Sequence, residues 1–460
     1  DVEQVDVWFD EECMHNLHFF AKDNVCHRTD IQTKEYYVDG TGPELEFTYP
    51  DHGYAPIDDN SGYLKVNTDV VVRASDLPEN DCEAGIESIF WRYEYQGIQY
   101  PTSPGAGVIS GQQLNNRYGY TDPSVVGDIS GDNLGLLWYV VNEESEDIGF
   151  PDQCQHDVYI FAKDNVCNRG DIIEKTYYVD ETEPDTRLYL NGHGHYRDCQ
   201  EMTGDDPTYD GPAVAQIQMC NSYLKAGKHF TINATDNHEC AAGIESIFFR
   251  YKWDDGDGID SYPLNIGDTK YGATAIDGAD LGIDYGYTDT DITDYIWYRI
   301  DGVENIEIWF EEQCEHELIW FAKDNVCQRT MIYHAYFYVD DTNPTATFEW
   351  PESDYYYDAA LDKNYISCSA AITIDPDDTH PCSAGIESTF WRYEFDDQEY
   401  PEYIDTHGYT MVTGEELVEL YGETYNIPEI VDYTWYRHDT TCPIDISFFE
   451  NCTHNITYFV

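Results

Sequence analysis

The sequence predicts an all-β protein made of tandem domains, each carrying one short inserted helix. The hexapeptide AKDNVC begins at Ala21, Ala162 and Ala322. Three longer blocks recur around it in a fixed order, and their polar and apolar residues alternate as β-strands require. A chain of 460 residues is also too long for one hydrophobic core, which suggests three or four domains.

The first repeated block is a strand with two distinct faces. It reads DCEAGIESIFWRYEY from Asp81, ECAAGIESIFFRYKW from Glu239 and PCSAGIESTFWRYEF from Pro381. Ile89, Trp91 and Tyr93 fall on one face of the first copy, and Arg92 points the other way. The alternation predicts a strand whose apolar face lies on a core.

The second repeated block predicts the helix. It reads SGQQLNNRYGYT from Ser110, DGADLGIDYGYT from Asp277 and TGEELVELYGET from Thr413. Ser, Asp or Thr followed three residues later by Gln, Asp or Glu marks a helix N-terminus, and the later Gly suits a C-cap. We therefore expect one short helix between strands in each repeat.

The third block contains AKDNVC and sets the domain boundaries. It starts at residues 13, 154, 314 and 452, a spacing that suits whole domains rather than solenoid units. Each full copy ends in Val-Asp and a proline-containing linker, which cannot continue a strand ladder. The predicted divisions are 1–42 (last strands of a preceding repeat), 43–182, 183–342 with an insertion near 191–220, and 343–460, which lacks its last strand.

The composition excludes several classes of function. The net charge is −68, which argues against nucleic-acid or anionic-lipid partners and favours a cation. No apolar run reaches the roughly 18 residues of a membrane span. Forty-one tyrosines distinguish the chain from a disordered acidic tail. Recognised catalytic motifs such as HExxH and GxSxG are missing, so we do not expect an enzyme.

The cysteines indicate an oxidising compartment. Fourteen cysteines recur at matched positions, and none forms a CxxC pair of zinc-ribbon spacing. Three Asn-x-Ser/Thr acceptors for glycans, Asn233, Asn451 and Asn455, agree with this. We expect an extracellular, cell-surface protein.

The three blocks resemble the bacterial and archaeal Ig-like (Big-type) tandem repeats of surface-layer proteins and adhesins. That family carries an Asp...Gly-Ser-Gly-Val strand, a Gly-x-His strand, Asp-x-x-Gly-Asn and Val-Asp-x-Thr-x-Pro. The match covers most of each repeat, although Cys154, Cys167 and Cys82 stand at or near family glycines. The resemblance implies Ig-like β-sandwiches of Greek-key order, an extracellular architectural role and a prokaryotic, archaeal source.

The resemblance also implies a disulfide pattern. In the family's strand order, the B–C loop with Cys82 and the F–G loop with Cys167 cluster at one end of the sandwich. This predicts the pairs Cys82–Cys167 and Cys240–Cys327. A strand of about 25 Å separates Cys154 from Cys167, too far for a disulfide. The remaining cysteines are expected at the opposite end with their pairing open: Cys13, Cys154, Cys199, Cys220, Cys314, Cys368, Cys442 and Cys452.

The same loops supply oxygen ligands that would suit calcium at each domain junction. The Asp residues of the preceding linker would reach the same end of the next domain. The candidate ligands are Asp39, Asp76, Asp81, Glu87, Asp164, Asn165, Asp180, Asp236, Glu245, Asp324, Asn325 and Asp375. The alternative is a solvated acidic loop without any ion.

Three further motifs have a structural interpretation that we favour over a functional one. DDGDGIDS from Asp254 resembles a calcium loop, but an elongated Asp-Gly hairpin turn explains it better. The Cys-x-His repeats offer only two local ligands for a soft metal, so a structural histidine is favoured. Arg169-Gly170-Asp171 spells an integrin-binding tripeptide, but the other copies read Arg-Thr, which favours a strand-edge arginine.

Together these observations predict a structural component of a cell-surface layer, sheath or filament that associates with copies of itself. The break inside the last block fits a piece of a longer repetitive protein, or strand donation between copies. The alternative function is an adhesin or carbohydrate-binding stalk, in which exposed tyrosine and tryptophan stack on cell-surface glycans.

Overall fold

The computed structural model describes residues 4–460 except 77–81, 191–193, 200–219, 255, 257, 369, 402–408, 440 and 449. The predicted insertion near 191–220 therefore lies largely outside the described residues. The chain starts with an antiparallel hairpin of β1 (Cys13–Phe19) and β2 (Gln32–Val38), in which Cys13 lies opposite Val38. Three units of two or more sheets follow, so the chain is a tandem array of β-sandwich domains.

The described part of the first repeat contains eleven strands and two helices. Its strands are β3 (Glu44–Thr48), β4 (Tyr54–Asp58), β5 (Ser61–Lys65), β6 (Asp69–Ser75), β7 (Ile86–Tyr95), β8 (Ile98–Tyr100), β9 (Val108–Ser110), β10 (Leu137–Val141), β11 (Ser145–Gly149), β12 (Cys154–Asp164) and β13 (Ile173–Asp180). Its helices are α1 (Gly111–Tyr118) and α2 (Pro123–Val126). The large sheet has the order β4-β5-β13-β12-β7-β10-β9 with β8 beside β7, and the small sheet is β11-β6-β3. Strands β5 and β13 pair in parallel.

The second repeat has the same plan. Its strands are β14 (Asp185–Tyr189), β15 (His195–Cys199), β16 (Cys220–Lys225), β17 (Phe230–Thr235), β18 (Ile244–Asp254), β19 (Ile259–Tyr262), β20 (Thr269–Lys270), β21 (Ala273–Asp277), β22 (Ile296–Asp301), β23 (Asn305–Ile308), β24 (Cys314–Asp324) and β25 (Tyr333–Asp340). Its helices are α3 (Gly278–Tyr285) and α4 (Thr290–Thr293). The sheets are β15-β16-β25-β24-β18-β22-β21-β20, with β19 beside β18, and β14-β17-β23.

The third repeat keeps the small sheet, but its large sheet is divided. Its strands are β26 (Thr345–Glu349), β27 (Tyr355–Asp358), β28 (Lys363–Ile366), β29 (Ala371–Asp377), β30 (Thr389–Phe395), β31 (Gln398–Tyr400), β32 (Thr410–Thr413), β33 (Thr434–His438), β34 (Ile444–Ser447) and β35 (His454–Phe459). The helices are α5 (Gly414–Tyr421), a 3₁₀ turn at Glu423–Tyr425 and α6 (Pro428–Val431). Strands β27 and β28 form a separate hairpin, and β35 pairs with β30.

Each large sheet is buried on both faces, so the repeats have three layers. Ile89 of β7 belongs to the core between the two sheets, whereas the next residue, Phe90, packs with Leu114 of α1 on the other face. The predicted alternation is therefore correct. Arg92 points away from Ile89 as predicted, but it is buried on the side that the helix covers, with its guanidinium 3.8 Å from the ring centroid of Tyr159.

The helices begin and end where their sequences predict. Ser110 and Gln113 form a capping box at α1, and the helix stops at Gly119 in the left-handed conformation. A second short helix, α2, was not predicted. Asp122 caps it, and its Val125 carbonyl accepts a hydrogen bond from Trp138 Nε1 at 2.8 Å. No helix in the described part of the chain is long and apolar enough to cross a membrane.

Candidate cation site at the repeat junctions

Strand β12 runs the full length of the first repeat and connects two junctions. It begins at Cys154, which lies opposite Val179 at the end of β13, beside the linker to the second repeat. It ends at Asp164, next to the linker that enters the first repeat at Asp39. Strand β24 occupies the same position in the second repeat. Each central strand therefore presents a cysteine to one junction and a carboxylate to the other.

Three disulfides cross the junctions. They join Cys13 to Cys82, Cys154 to Cys240 and Cys314 to Cys382, with Cα–Cα distances of 4.7, 5.0 and 5.0 Å. The predicted pairs Cys82–Cys167 and Cys240–Cys327 are wrong, and Cys167 and Cys327 are free thiols. Each bond links the first residue of β1, β12 or β24 to the loop before β7, β18 or β30 of the following repeat.

The error in pairing has a physical reason. The two loops do lie together, since Asn165 Nδ2 donates to the carbonyl of Ala84 at 2.9 Å. However, Cys82 faces the preceding unit and bonds to Cys13, the first residue of β1 in that unit. In a tandem array the far end of one domain adjoins the loops of the next, so the sulfur partners belong to different repeats.

Polar contacts reinforce the same junctions. Gln153 Nε2 donates to the carbonyl of Glu239 at 3.0 Å, and Gln313 Nε2 donates to the carbonyl of Pro381 at 3.1 Å. In both cases the glutamine directly precedes one cysteine of the disulfide. Its side-chain amide reaches the residue that directly precedes the other cysteine. The orientation of consecutive repeats is therefore fixed by a covalent bond and an adjacent hydrogen bond.

The first junction brings three carboxylates together. Asp39 follows β2, Asp76 follows β6, and Asp164 ends β12, and ligand oxygens of the three lie within 4.8 Å of one another. Ala84 and Gly85 donate their backbone N–H groups to Asp39 Oδ2 at 2.8 Å and Asp76 Oδ2 at 2.7 Å. Two backbone N–H groups of its own turn bind Asp164 Oδ1. Within the described residues, the buried Asp76 Oδ1 has no hydrogen-bond partner.

The second junction repeats this arrangement. Asp180, Asp236 and Asp324 place ligand oxygens within 4.8 Å of one another. Asp180 Oδ2 accepts from the backbone of Ala242 at 2.8 Å, and Asp236 Oδ2 accepts from Gly243 at 2.8 Å. Asp236 Oδ1 is also buried without a hydrogen-bond partner in the part of the chain that the structure describes. We call these two groups the first and second aspartate triads.

The environment of each triad disfavours the ionisation of all three carboxylates at once. Burial raises the pKa of Asp324 to about 7; backbone hydrogen bonds oppose the rise, and the charges of Asp180 and Asp236 add to it. Burial likewise raises the pKa of Asp76, to which the charges of Asp39 and Asp164 contribute. A buried cluster of like charges is stabilised by a bound proton or by a cation. Each triad is therefore chemically suited to hold either a proton or a cation.

Four of the predicted ligands have other partners. Glu87 and Glu245 form ion pairs with the buried Lys163 and Lys323 instead of facing a triad. Burial lowers the pKa of Lys323 to about 8. The side-chain amides of Asn165 and Asn325 donate to backbone carbonyls of the neighbouring loops, at 2.9 Å to Ala84 and 2.8 Å to Ala242. These four residues position the loops that carry the triads.

Two further predicted ligands fall outside the triads. Asp81 is not among the described residues, and Asp375 lies inside β29 opposite Thr347. The third-repeat residue that matches Asp76 and Asp236 is Asp378, whose Oδ2 accepts from Gly385 N–H at 2.9 Å. The neighbouring Asp340 matches Asp180. The Val-Asp pair that recurs before each linker in the sequence is the signal for this match.

The motifs with a structural interpretation behave accordingly. Arg169 forms an ion pair with Asp122 at 3.3 Å, as expected for a strand-edge arginine. His156 is fully buried, and its Nδ1 lies 2.9 Å from the carbonyl oxygen of Cys154. The segment from Asp254 connects β18 to β19 as a hairpin.

Comparisons with known proteins find solved structures of similar chains at low sequence identity. No protein-family model matches the sequence, and no curated protein matches it significantly. Among solved structures, the Clostridium thermocellum CbhA fibronectin(III)-like modules are 10% identical, with a TM-score of 0.24 over 65% of this chain and 95% of that one. Chicken CNTN1 FN1–FN3 domains are 7% identical, with a TM-score of 0.23 over 71% and 76%.

The C-terminal domain of the Streptococcus pyogenes antigen I/II-family protein AspA is 9% identical, with a TM-score of 0.22 over 64% of this chain and 99% of that one. No functional assignment follows from similarities of this size.

Proposed function

We propose that this chain is a rigid segment of an extracellular structural protein, which contributes to a cell-surface layer, sheath or filament. One observation carries the proposal: consecutive repeats are joined twice by covalent bonds. The peptide linker leaves β13 at Asp180, and the disulfide leaves the adjacent end of β12 at Cys154. Disulfides of this kind are typical of oxidising, extracellular compartments.

Two neighbouring attachments restrict motion far more than one. Residues 181–184 alone would let adjacent repeats bend about the linker, as interfaces between domains usually allow. The disulfide and the Gln153 contact to Glu239 add a second attachment beside the linker at the same junction. Rotation of one repeat about the linker is therefore opposed by the disulfide and by this hydrogen bond.

The central strands carry load between junctions. β12 and β24 each contain 11 residues, which corresponds to about 35 Å of extended chain. Each strand is hydrogen-bonded on both sides, β12 to β7 and β13 and β24 to β18 and β25. A pulling force would pass from one disulfide through a strand held within a sheet, which suits a filament or stalk.

We propose copies of the same chain as the partners in such an assembly. Within the described residues, the hairpin of β1 and β2 pairs with no further strand, and neither does the hairpin of β27 and β28. Open strand edges are templates for pairing with another chain. Asn451 and Asn455 are exposed and could carry surface glycans, whereas Asn233 lies within β17 and donates to Asn305 Oδ1 at 2.6 Å.

One feature favours a second candidate, a carbohydrate-binding stalk or adhesin. The β27–β28 hairpin exposes three tyrosines, Tyr356, Tyr357 and Tyr365. Exposed aromatic rings stack on sugars, and these lie on one hairpin. Glycan-array binding that is lost in the Tyr356→Ala, Tyr365→Ala double variant would favour this function over a purely structural one.

The structural proposal is tested by measuring the shape of the chain with and without its disulfides. Negative-stain electron microscopy of the native protein should show straight rods or ordered filaments. The Cys154→Ser, Cys240→Ser double variant should show a bend distribution broadened at the second junction. Cys167→Ser, which removes a free thiol, serves as the matched control and should remain straight. Equally straight particles in all three samples would contradict the proposal.

A further inference from the structure

The two aspartate triads share a feature that acidic surface loops lack: most of their carboxylates are buried, and backbone hydrogen bonds hold them in place. Asp164, Asp180 and Asp324 are fully buried, and Asp76 is 6% exposed. No lysine or arginine in the described residues forms an ion pair with any of the six carboxylates. Three negative charges in such a place repel one another strongly because the local dielectric constant is low.

Backbone donors leave one direction open at each triad. The Oδ2 atoms of Asp39 and Asp76 are held by Ala84 and Gly85, and both oxygens of Asp164 accept hydrogen bonds from its own turn. Asp76 Oδ1 is the exception, because it is buried and has no partner within the described residues. An unpaired buried carboxylate oxygen among like charges costs free energy unless a positive ligand binds it.

The ligand chemistry selects the type of cation. Every candidate donor is a carboxylate oxygen, and no cysteine sulfur or imidazole belongs to either triad. Oxygen-only sites suit hard cations such as calcium, which accepts irregular geometry and completes its shell of six to eight ligands with water. Magnesium is less suited because it requires a regular octahedral site and loses water reluctantly.

We propose that each triad binds one calcium ion, held by Asp39, Asp76 and Asp164 at the first junction and by Asp180, Asp236 and Asp324 at the second. Each ion is shared between two units, because the first aspartate of each triad ends one unit and the other two belong to the next repeat. This site is narrower than the loop cluster expected from sequence, since the glutamates and asparagines are excluded from it.

The third junction provides a control within the same molecule. Asp340 and Asp378 correspond to the first two members of a triad, and Asp340 Oδ2 accepts from Ala384 N–H at 2.9 Å. No third carboxylate joins them among the described residues. We expect this pair of carboxylates to bind calcium too weakly to register as a third site in a titration.

The test is calorimetric titration of the metal-depleted full chain with calcium chloride at physiological ionic strength. We expect two sites per chain with dissociation constants of about 0.1–1 mM, the range of extracellular modules. Asp164→Asn should remove one site, Asp324→Asn the other, and the double variant both. The control Asp378→Asn should keep two sites.

Parallel measurements keep the outcome decisive. Circular dichroism checks that each variant folds. If Asp164→Asn or Asp324→Asn does not fold, Asp76→Asn and Asp236→Asn are used in their place. Calcium should raise the melting temperature of the native chain but not that of the double variant. Two-site binding that persists in a folded double variant would assign calcium to the acidic surface and overturn the proposal. Equal affinity for magnesium would overturn the assignment to calcium.

Discussion

The sequence AKDNVC occurs in two very different environments in this molecule. In the hairpin of β1 and β2 its side chains are exposed, including Val25 at 71%. In the second repeat Ala322, Lys323, Asp324 and Val326 are all fully buried. The six residues are identical, so every difference between the two copies comes from what packs on them.

The local turn is the same in both environments. Asp23 Oδ1 accepts from the backbone of Val25 at 2.9 Å and His27 at 2.8 Å. Asp324 Oδ1 makes the equivalent two bonds at 2.9 and 2.8 Å. Since an exposed copy forms the same turn as a buried one, the turn is a property of the local sequence, as expected for Asp in this role.

The chemistry of the aspartate is opposite in the two copies. At Asp23, desolvation raises the pKa, but the hydrogen bonds from His27 and Val25 together outweigh it, so the pKa lies below its usual value. At Asp324 burial dominates and raises the pKa to about 7. The local sequence therefore determines the shape of the turn, whereas the neighbouring elements determine the pKa of its aspartate.

The largest expected effect comes from placing a charge at the first position of the segment. Ala322→Asp buries an unpaired carboxylate and should destabilise the second repeat by about 3–5 kcal/mol. Ala21→Asp should change stability by less than about 0.5 kcal/mol because the site is exposed. Urea unfolding followed by hydrogen exchange of β24 and β1 checks both, and similar losses at the two positions would break the comparison.

Removing side-chain volume should give a smaller difference in stability between the two copies, and the buried copy should again lose more. Val326→Ala removes two buried methyl groups and should cost about 2 kcal/mol through lost burial and a residual cavity. Val25→Ala is the matched control and should be close to neutral. Thermal unfolding of the two variants is the measurement, and a stable Val326→Ala protein would show that the turn is not part of the core.

Acid should distinguish the second repeat from the first. A hydrogen bond from His334 lowers the pKa of Glu317 to about 2, against desolvation and with help from Lys252. Because the folded pKa is depressed, this stabilisation is present above the unfolded pKa of about 4.5 and is lost as pH falls towards about 2. We expect a loss of about 1–2 kcal/mol in that window.

The first repeat offers the comparison for this acid effect. There Asp157 replaces Glu317 and accepts from the hydroxyl of Thr176 at 2.8 Å rather than from a base. Urea unfolding at pH 6 and pH 3, with exchange measured in β12 and β24, separates the two repeats. Glu317→Gln should remove the pH-dependent part, and an unchanged profile in that variant would exclude the assignment.

The smallest effect concerns the arginine that follows the segment. Arg329 lies 3.1 Å from Asp289, the N-cap residue of α4, and its side chain is largely buried. Arg329→Ala should cost about 1 kcal/mol, because a partly buried pair at a helix end is lost. Arg28 contacts the carbonyl of Thr29, and Arg28→Ala should be neutral within about 0.5 kcal/mol in the same unfolding assay.

Sequence reasoning succeeded wherever short-range physics decides the structure. The alternation of Ile89, Trp91 and Tyr93 with Arg92 predicted two faces of a strand, and the capping residue Ser110 predicted the start of a helix. Both signals depend on residues within one turn or one strand. They are therefore readable without knowing what packs against them.

It failed where the answer depends on how two repeats meet. The partner of Cys82 could not be found within its own repeat, because that cysteine bonds across a junction to Cys13. The ligand position was assigned to Asp375 instead of Asp378, although Asp378 stands four residues before Cys382 just as Asp236 stands four residues before Cys240. Relative placement of domains leaves little periodic trace in the chain.

The double attachment at each junction has a further consequence for the resistance of the array to proteolysis. A protease that cuts the linker at residues 181–184 leaves Cys154 on one fragment and Cys240 on the other. The two fragments remain joined by their sulfur atoms, so one cleavage does not shorten the array. Breakage at this junction needs both a hydrolytic and a reductive event, and reducing agents are scarce where such a protein would be exposed.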